Sequence, residues 1–301
     1  MGVALLVFLA LLLSSAQLAA QQSGEDASTL GDPEAMPRPA ARAHRISVPV
    51  AIDGVLDEAV WEEAEVITGF VQAMPDAGAP ATEKTIVRVL YDDRYLYVGA
   101  LLLDSDPPAI VAQFLNQDYE THDDDTFAVT LDTFLDRRNS FMFLINPWGA
   151  VKDGQVFDNS RTTNLAWEGV IEIETSIHER GWTVELAIPF TTLRFDPSRE
   201  DQSWGVNFLR RIRRKNEDAY WAPLDRRSRV HTMALAGTLT GLRDLPRPRN
   251  LAVKPFFVAD NTRGNLVQED ARGGEVDGGL DLKYGVTPRL TLDLTWRPDF
   301  S

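Results

Sequence analysis

The chain has 301 residues, 45 Asp and Glu against 30 Lys and Arg, and a formal charge of −15. That balance excludes a general nucleic-acid binder, whose phosphate contacts need a surplus of basic residues. The absence of cysteine excludes a disulfide framework and any Cys-ligated metal.

Val3 to Leu13 is an unbroken apolar run, followed by small and weakly polar residues to Ala20. Its length suits a secretory signal peptide over residues 1–20 and is too short to span ~30 Å of hydrocarbon as a helix. The rival is an uncleaved anchor extended through Ala20. Residues 21–45 are polar, rich in Ala and Pro and without apolar periodicity, so they read as a disordered linker.

From residue 46 to 243 the chain reads as strand after strand. Asp53-Gly54 is a turn signal. Asp57 is placed to cap a short helix running through Trp61 towards Ala64, with Trp61 as an aromatic plug beneath it. Ile86–Tyr91 and Tyr95–Leu101 flank the tight turn Asp92-Asp93-Arg94 and make a hairpin. Phe127, Val129 and Leu131 alternate with polar or small residues, and so do Phe141, Phe143 and Ile145 after the break Leu135–Asn139. Period-2 alternation of this kind predicts a second hairpin, mid-sheet, with one buried face. Val170–Ser176 and Trp182–Ile188 make a third pair, turning at His178–Gly181 and closed by Pro189. Trp204–Arg213 and Ala236–Gly241 add two more strands. Frequent turns and hardly any helix imply an all-β, antiparallel β-sandwich.

Four of these stretches, IDGVLDEAVW, VRVLYDDRYLYVGALLLD, DDTFAVTLDTFLDRRNSFMFLINPWG and GWTVELAIPFTTLRF, occur in an order that resembles the family 9 carbohydrate-binding module. More narrowly, they resemble the variant that precedes an outer-membrane β-barrel in large bacterial envelope proteins. The resemblance spans residues 46–243. It implies an immunoglobulin-like, DOMON-like sandwich that binds a glycan or polysaccharide and in some relatives holds structural Ca2+. Such modules are often fused to polysaccharide-degrading enzymes, which suggests a link to carbohydrate catabolism. It also implies a protein exported to the periplasm or outer membrane of a Gram-negative-type bacterium.

Sugar sites combine flat aromatic faces with Arg, Asp, Asn or Gln side chains that bond hydroxyls. Trp148 and Asn146 lie in the turn after the central hairpin, Trp167 follows the polar loop 158–164, and Trp221 follows Glu217–Tyr220. These four, with Arg137 at the opposite turn, are the candidate ligand residues. Trp182 and Trp204 each begin an apolar strand and read as core. Asp123, Asp124 and Asp125, next to His122, could supply oxygen ligands for calcium, but the spacing is not that of a dedicated loop and a solvated turn before a strand is the preferred reading. Arg210–Lys215 is the one basic block; it could bind acidic sugars or lipid phosphates, or sit as a solvated edge paired with Glu172, Glu174 or Glu185. No G-x-S-x-G, HExxH or P-loop pattern is present, and no carboxylate pair stands out, so a glycoside hydrolase rests on family association alone.

Beyond the stiff boundary Leu245–Asn250, Leu251–Ala259 forms a strand and Asp260–Gly279 a long polar loop. Leu280, Leu282 and Tyr284, then Leu290, Leu292, Leu294 and Trp296, alternate with polar residues. Apolar-out, polar-in alternation is the pattern of an outer-membrane barrel, which needs at least ~8 strands to close. Residues 250–301 therefore read as its incomplete start. Two functional classes follow: an exported glycan-binding module, or a periplasmic domain serving a barrel with a structural or transport role.

Overall fold

The computed structural model describes residues 37–246, 251–261, 274–287 and 290–296. The expected leader, and the linker as far as residue 36, lie outside the described residues. The sandwich opens with β1 (Ala40–Arg42) and β2 (His44–Arg45), then helix α1 (Val60–Glu63), β3 (Val71–Met74), β4 (Thr85–Tyr91) and β5 (Tyr95–Leu103). It continues through β6 (Thr126–Asp132), β7 (Ser140–Ile145), β8 (Val151–Phe157), β9 (Thr162–Asn164), β10 (Glu172–His178) and β11 (Gly181–Pro189). It closes with β12 (Asp201–Ile212), β13 (Glu217–Tyr220) and β14 (Gly237–Arg243).

These strands form two sheets. The larger has the order β1-β14-β12-β6-β7-β8-β9, with β13 and β3 appended to one end of β12, and the smaller runs β10-β11-β5-β4-β2. All pairings are antiparallel except β1 on β14 and β2 on β4. The tail of the expected linker is thus structured: Ala40–Arg45 contributes a short strand to each sheet, and Ala41 and Ala43 are buried in the shared core. Small side chains that read as linker composition are what lets the backbone lie close against Gly237–Arg243.

The predicted hairpins form, and β6 and β7 occupy mid-sheet positions with Leu131 opposite Phe141 and Phe127 opposite Ile145. Their odd-numbered residues face the other sheet and join Val87, Val98, Val184 and Trp204 in the main core. The expectation of a single buried face is corrected, because every residue of β6 and β7 is buried. On the outer face Ala128, Met142, Leu144, Val156 and Leu209 pack under Tyr220, Leu224 and Val230. The segment that follows β13 folds back over the sheet and covers them. Small Ala128 and Thr130 suit this covering as well as they suit solvent.

Trp61 plugs the smaller sheet as expected, and mid-strand Gly99 makes room for it: a Cβ there would come within 2.9 Å of the indole. The cap is different. Asp57 makes no side-chain cap bond, while Glu58 accepts from the Trp61 indole at 3.2 Å and from the Ala51 N–H at 2.9 Å. Trp182 and Trp204 are fully buried, as their strand positions predicted.

The C-terminal strands β15 (Leu251–Asn261), β16 (Gly274–Thr287) and β17 (Leu290–Trp296) form a separate antiparallel sheet, hydrogen-bonded to neither sandwich sheet. β15 runs further than expected, and the stretch read as a polar loop contains the first part of β16. The register aligns Leu251, Tyr284 and Leu292 in one row, Val253, Leu282 and Leu294 in the next, and Pro255, Leu280 and Trp296 in a third. Val253, Leu280, Leu292, Leu294 and Trp296 are exposed. No closed barrel is present among the described residues.

Candidate functional site

The hairpin β6–β7 has two ends, and the sequence-predicted site residues divide between them. At one end stand Asp123, Asp124, Asp125, Asn146 and Trp148. Asn146 is buried and fully engaged: its amide nitrogen donates to Asp124 and to the Phe114 carbonyl, both at 2.8 Å. Its oxygen accepts from the N–H groups of Trp148 at 3.1 Å and Ala150 at 2.8 Å. It shapes the Pro147-Trp148-Gly149 turn and has no hydrogen-bonding capacity left for a ligand, which corrects its assignment as a rim residue.

Two members of the acidic triplet, Asp124 and Asp125, also fold inward. Asp124 accepts from the N–H groups of Gln113 at 2.8 Å and Phe114 at 3.3 Å, in addition to Asn146. Asp125 accepts from the Arg213 N–H at 2.6 Å, and its other oxygen is buried without a partner. Burial pushes the Asp125 carboxyl up to about 6, offset only in part by that N–H and by the charge of Arg210. Asp123 is exposed. The Asp124 and Asp125 carboxylates serve separate partners while Asp123 faces solvent, and no cluster of acidic or His side chains suited to a metal occurs among the described residues. Calcium does not fit this triplet.

The basic block lies at the same end and is consumed there. Arg210 and Asp104 face each other at 3.4 Å with side chains 1% and 0% exposed. Arg214 grips the same carboxylate through two bonds of 2.7 and 2.8 Å. Lys215 meets Glu83 at 2.6 Å, and Arg211 forks onto Asp218 at 2.7 and 2.8 Å. The expected partners Glu172, Glu174 and Glu185 take no part. Burial pushes Asp104 up, but the Arg214 bonds, the Asp106 N–H and the two guanidinium charges hold it below the usual carboxylate range. Trp148, 48% exposed, flanks a shallow groove with Leu115, Ile173, Glu174 and Ile177.

At the other end the strands open into the deeper concavity. Arg137 adopts a left-handed conformation (φ 61°) in the β6–β7 turn, and its guanidinium donates to the Ala236 and Gly237 carbonyls and the Thr238 hydroxyl at 2.8–3.1 Å. It ties the turn to β14 and is corrected from ligand residue to structural clamp. Beside that turn is a cleft of about 720 Å³. Its floor is the inner face of β7 and β8, where Phe141 pairs with Gln155 and Phe157 follows two residues on. Phe134 and Asn139 come from the turn, and Arg194 and Arg199 from the loop after β11. Trp167 leans on Phe141 at 5.1 Å and on Phe143 at 6.1 Å between ring centroids, half-buried against the floor.

Trp221 belongs elsewhere. It is buried, packs against Phe208 at 5.8 Å, and fills the space that Gly237 leaves by lacking a Cβ. Its assignment as a loop-borne ligand residue is corrected: β13 ends at Tyr220, and the chain turns inward immediately after it. The sequence reading missed Phe134, Gln155, Phe157 and Arg194. The available signal was the alternation of Val151, Asp153, Gln155 and Phe157, which marks a strand whose inner face carries polar residues before an exposed ring at its open end.

Fold and cleft together define an all-β sandwich with an aromatic-floored recess on the inner face of its larger sheet. The chain belongs to the family described as carbohydrate family 9 binding domain-like, whose model matches residues 52–218. Among solved structures it is similar to a candidate carbohydrate-binding protein from Bacteroides uniformis, with 15% identity, a TM-score of 0.55, and coverage of 68% of this chain and 100% of that one. A family 9 carbohydrate-binding module from Caldicellulosiruptor kristjanssonii, solved with cellotriose, shares 18% identity at a TM-score of 0.49, covering 68% of this chain and 96% of its own. No curated protein matches the chain.

Proposed function

We propose that this chain is a glycan-binding module whose ligand lies in the cleft floored by Phe141, Gln155 and Phe157. The observation that carries this reading is the pairing of ring surface with unspent hydrogen-bonding groups in one recess. Phe134 and the exposed Phe157 offer apolar faces for the C–H side of a pyranose, above the buried ring of Phe141. The side chains of Gln155 and Arg194, neither bonded within the protein, can meet its hydroxyls. Membership of the family supports the same reading. The two carboxylates that line the cleft are occupied by their own turns. Asp136 accepts from Arg138 and Asn139 at 2.7–2.9 Å, and Asp196 from Ser198 at 2.6–3.0 Å. Neither stands ready as an acid or base, which supports binding over hydrolysis.

The apolar run Val3–Leu13 supports export, and with it a role at the cell envelope linked to polysaccharide breakdown. A second reading makes the sandwich a periplasmic domain serving an outer-membrane barrel. It rests on the three apolar rows of β15–β17, whose exposed leucines and Trp296 suit lipid. Calorimetry and affinity electrophoresis against a neutral and acidic glycan panel, with and without calcium, separate the two. Binding unaffected by calcium, and weakened by ~1 kcal/mol or more in Phe157→Ala, supports the module. A folded β spectrum with no glycan bound supports the barrel-associated role.

A further inference from the structure

We infer that the glycan taken by this cleft is anionic, bearing a carboxylate or sulfate that Arg194 engages. The inference rests on the glycan-binding reading above and specifies its ligand class. Within the recess, Asp136 accepts from the N–H groups of Arg138 and Asn139 and the Asn139 amide, and Asp196 from the N–H and hydroxyl of Ser198. The basic side chains are not balanced in the same way. Arg199 meets Asp196 only at 3.7 Å, with both side chains well exposed, and Arg194 has no side-chain partner. An exposed pair of that length contributes little and is easily exchanged.

The contrast with the basic block sharpens the point. In a chain where acids outnumber bases 45 to 30, a guanidinium has many carboxylates to choose from. Arg210, Arg211 and Arg214 find one, and Arg213 bonds the Asn216 amide oxygen. Arg194 lies beside an aromatic floor and an unbonded amide, at the mouth of the cleft, and finds none. Its planar fork matches a carboxylate or sulfate in two parallel bonds. A neutral sugar would leave that fork on hydroxyls alone. The overall charge of −15 repels a long polyanion, so the contact is local and suits short acidic oligosaccharides or chain ends.

The test is titration calorimetry of the whole protein with tetragalacturonate, its methyl ester and a sulfated tetrasaccharide, repeated with Arg194→Gln. At least one of the two charged probes should bind about tenfold or more tighter than the ester, as charge-assisted bonds imply. Which of them binds tells carboxylate from sulfate. Raising salt from about 0.05 M to about 0.5 M should weaken the charged probe alone. Arg194→Gln should remove the preference by weakening the charged probe about tenfold and the ester far less, with the melting midpoint unchanged. Equal binding of charged and esterified probes, or equal weakening of both by Arg194→Gln, overturns the anionic assignment and leaves glycan binding standing. Failure of every member of the wider panel to bind overturns both.

Discussion

The two ends of the β6–β7 hairpin lie about 20 Å apart along the strands and handle charge in opposite ways. At the Asp125 end, Arg210, Arg211, Arg214 and Lys215 are neutralised by Glu83, Asp104 and Asp218, with Arg210 and Asp104 removed from water. At the Thr133 end, Arg194 stands unpaired beside phenylalanine rings and a glutamine amide. The most basic stretch of the sequence is therefore a structural lock, and an arginine in an unexceptional loop faces the cleft. Density of charge along the chain does not identify a site; what each charge is left to do after folding does.

The largest effect should come from breaking the lock. Asp104→Ala leaves Arg210 buried with one long bond, to the Lys84 carbonyl at 3.2 Å, and strips Arg214 of both short ones. An uncompensated buried charge of this kind costs about 3–5 kcal/mol, read as a loss of unfolding free energy in urea. Arg194→Gln at the open end should stay within about 0.5 kcal/mol of the parent. Comparable losses at the two ends would erase the distinction between lock and cleft.

A second prediction uses pH. Asp125 has an ordinary pKa of 3.8 and is held at about 6 in the fold, so the folded state binds its proton more tightly than the unfolded chain does. The stability it contributes is fully present below the unfolded value and is lost as pH rises through the folded one. Asp104 and Glu83, whose carboxyls are held below their ordinary range, act in the other direction at lower pH. Asp125→Asn keeps an oxygen for the Arg213 N–H and removes the titration. The variant should gain stability relative to the parent on going from about pH 4 to about pH 7.5. A difference of 6 − 3.8, about two pH units, corresponds to at most ~3 kcal/mol. Denaturant curves at the two pH values check it, and a pH-independent difference between variant and parent would mean that Arg210 and Arg214 keep the carboxylate charged throughout.

The same contrast explains how much could be read in advance. The three hairpins were legible because their apolar residues alternate without interruption, and Trp182 and Trp204 were placed correctly by the strands they begin. The strand Val151–Phe157 was not, since Lys152, Asp153, Gly154 and Gln155 break the pattern at the places where its inner face leaves the core. The lock was illegible because its partners are far apart in sequence: Arg214 and Asp104 are 110 residues distant, and nothing around Asp104 announces a buried ion pair. The cleft was illegible because loop-borne tryptophan is the sequence mark of a sugar platform, while the rings that line this one are phenylalanines on strands and a turn. Trp221 looked loop-borne in sequence and is core, which only the close approach of β14 at Gly237 reveals.

The smallest predicted effect is also the most discriminating about the site. Trp148 was one of three loop-borne tryptophan candidates in the sequence, and it remains half-exposed beside a groove that includes Glu174 and Thr175. Its backbone N–H is held by Asn146, so the turn survives loss of the ring, and Trp148→Ala should change stability by less than about 0.5 kcal/mol. If the glycan lies in the cleft at the far end of the hairpin, its affinity should also be unchanged, because about 20 Å separates the two. A loss of ~1 kcal/mol or more on titration would put a stacked sugar on Trp148. The ligand would then sit at the end where the charges are locked, and the groove beside the edge strand Glu172–His178 would replace the phenylalanine cleft as the site.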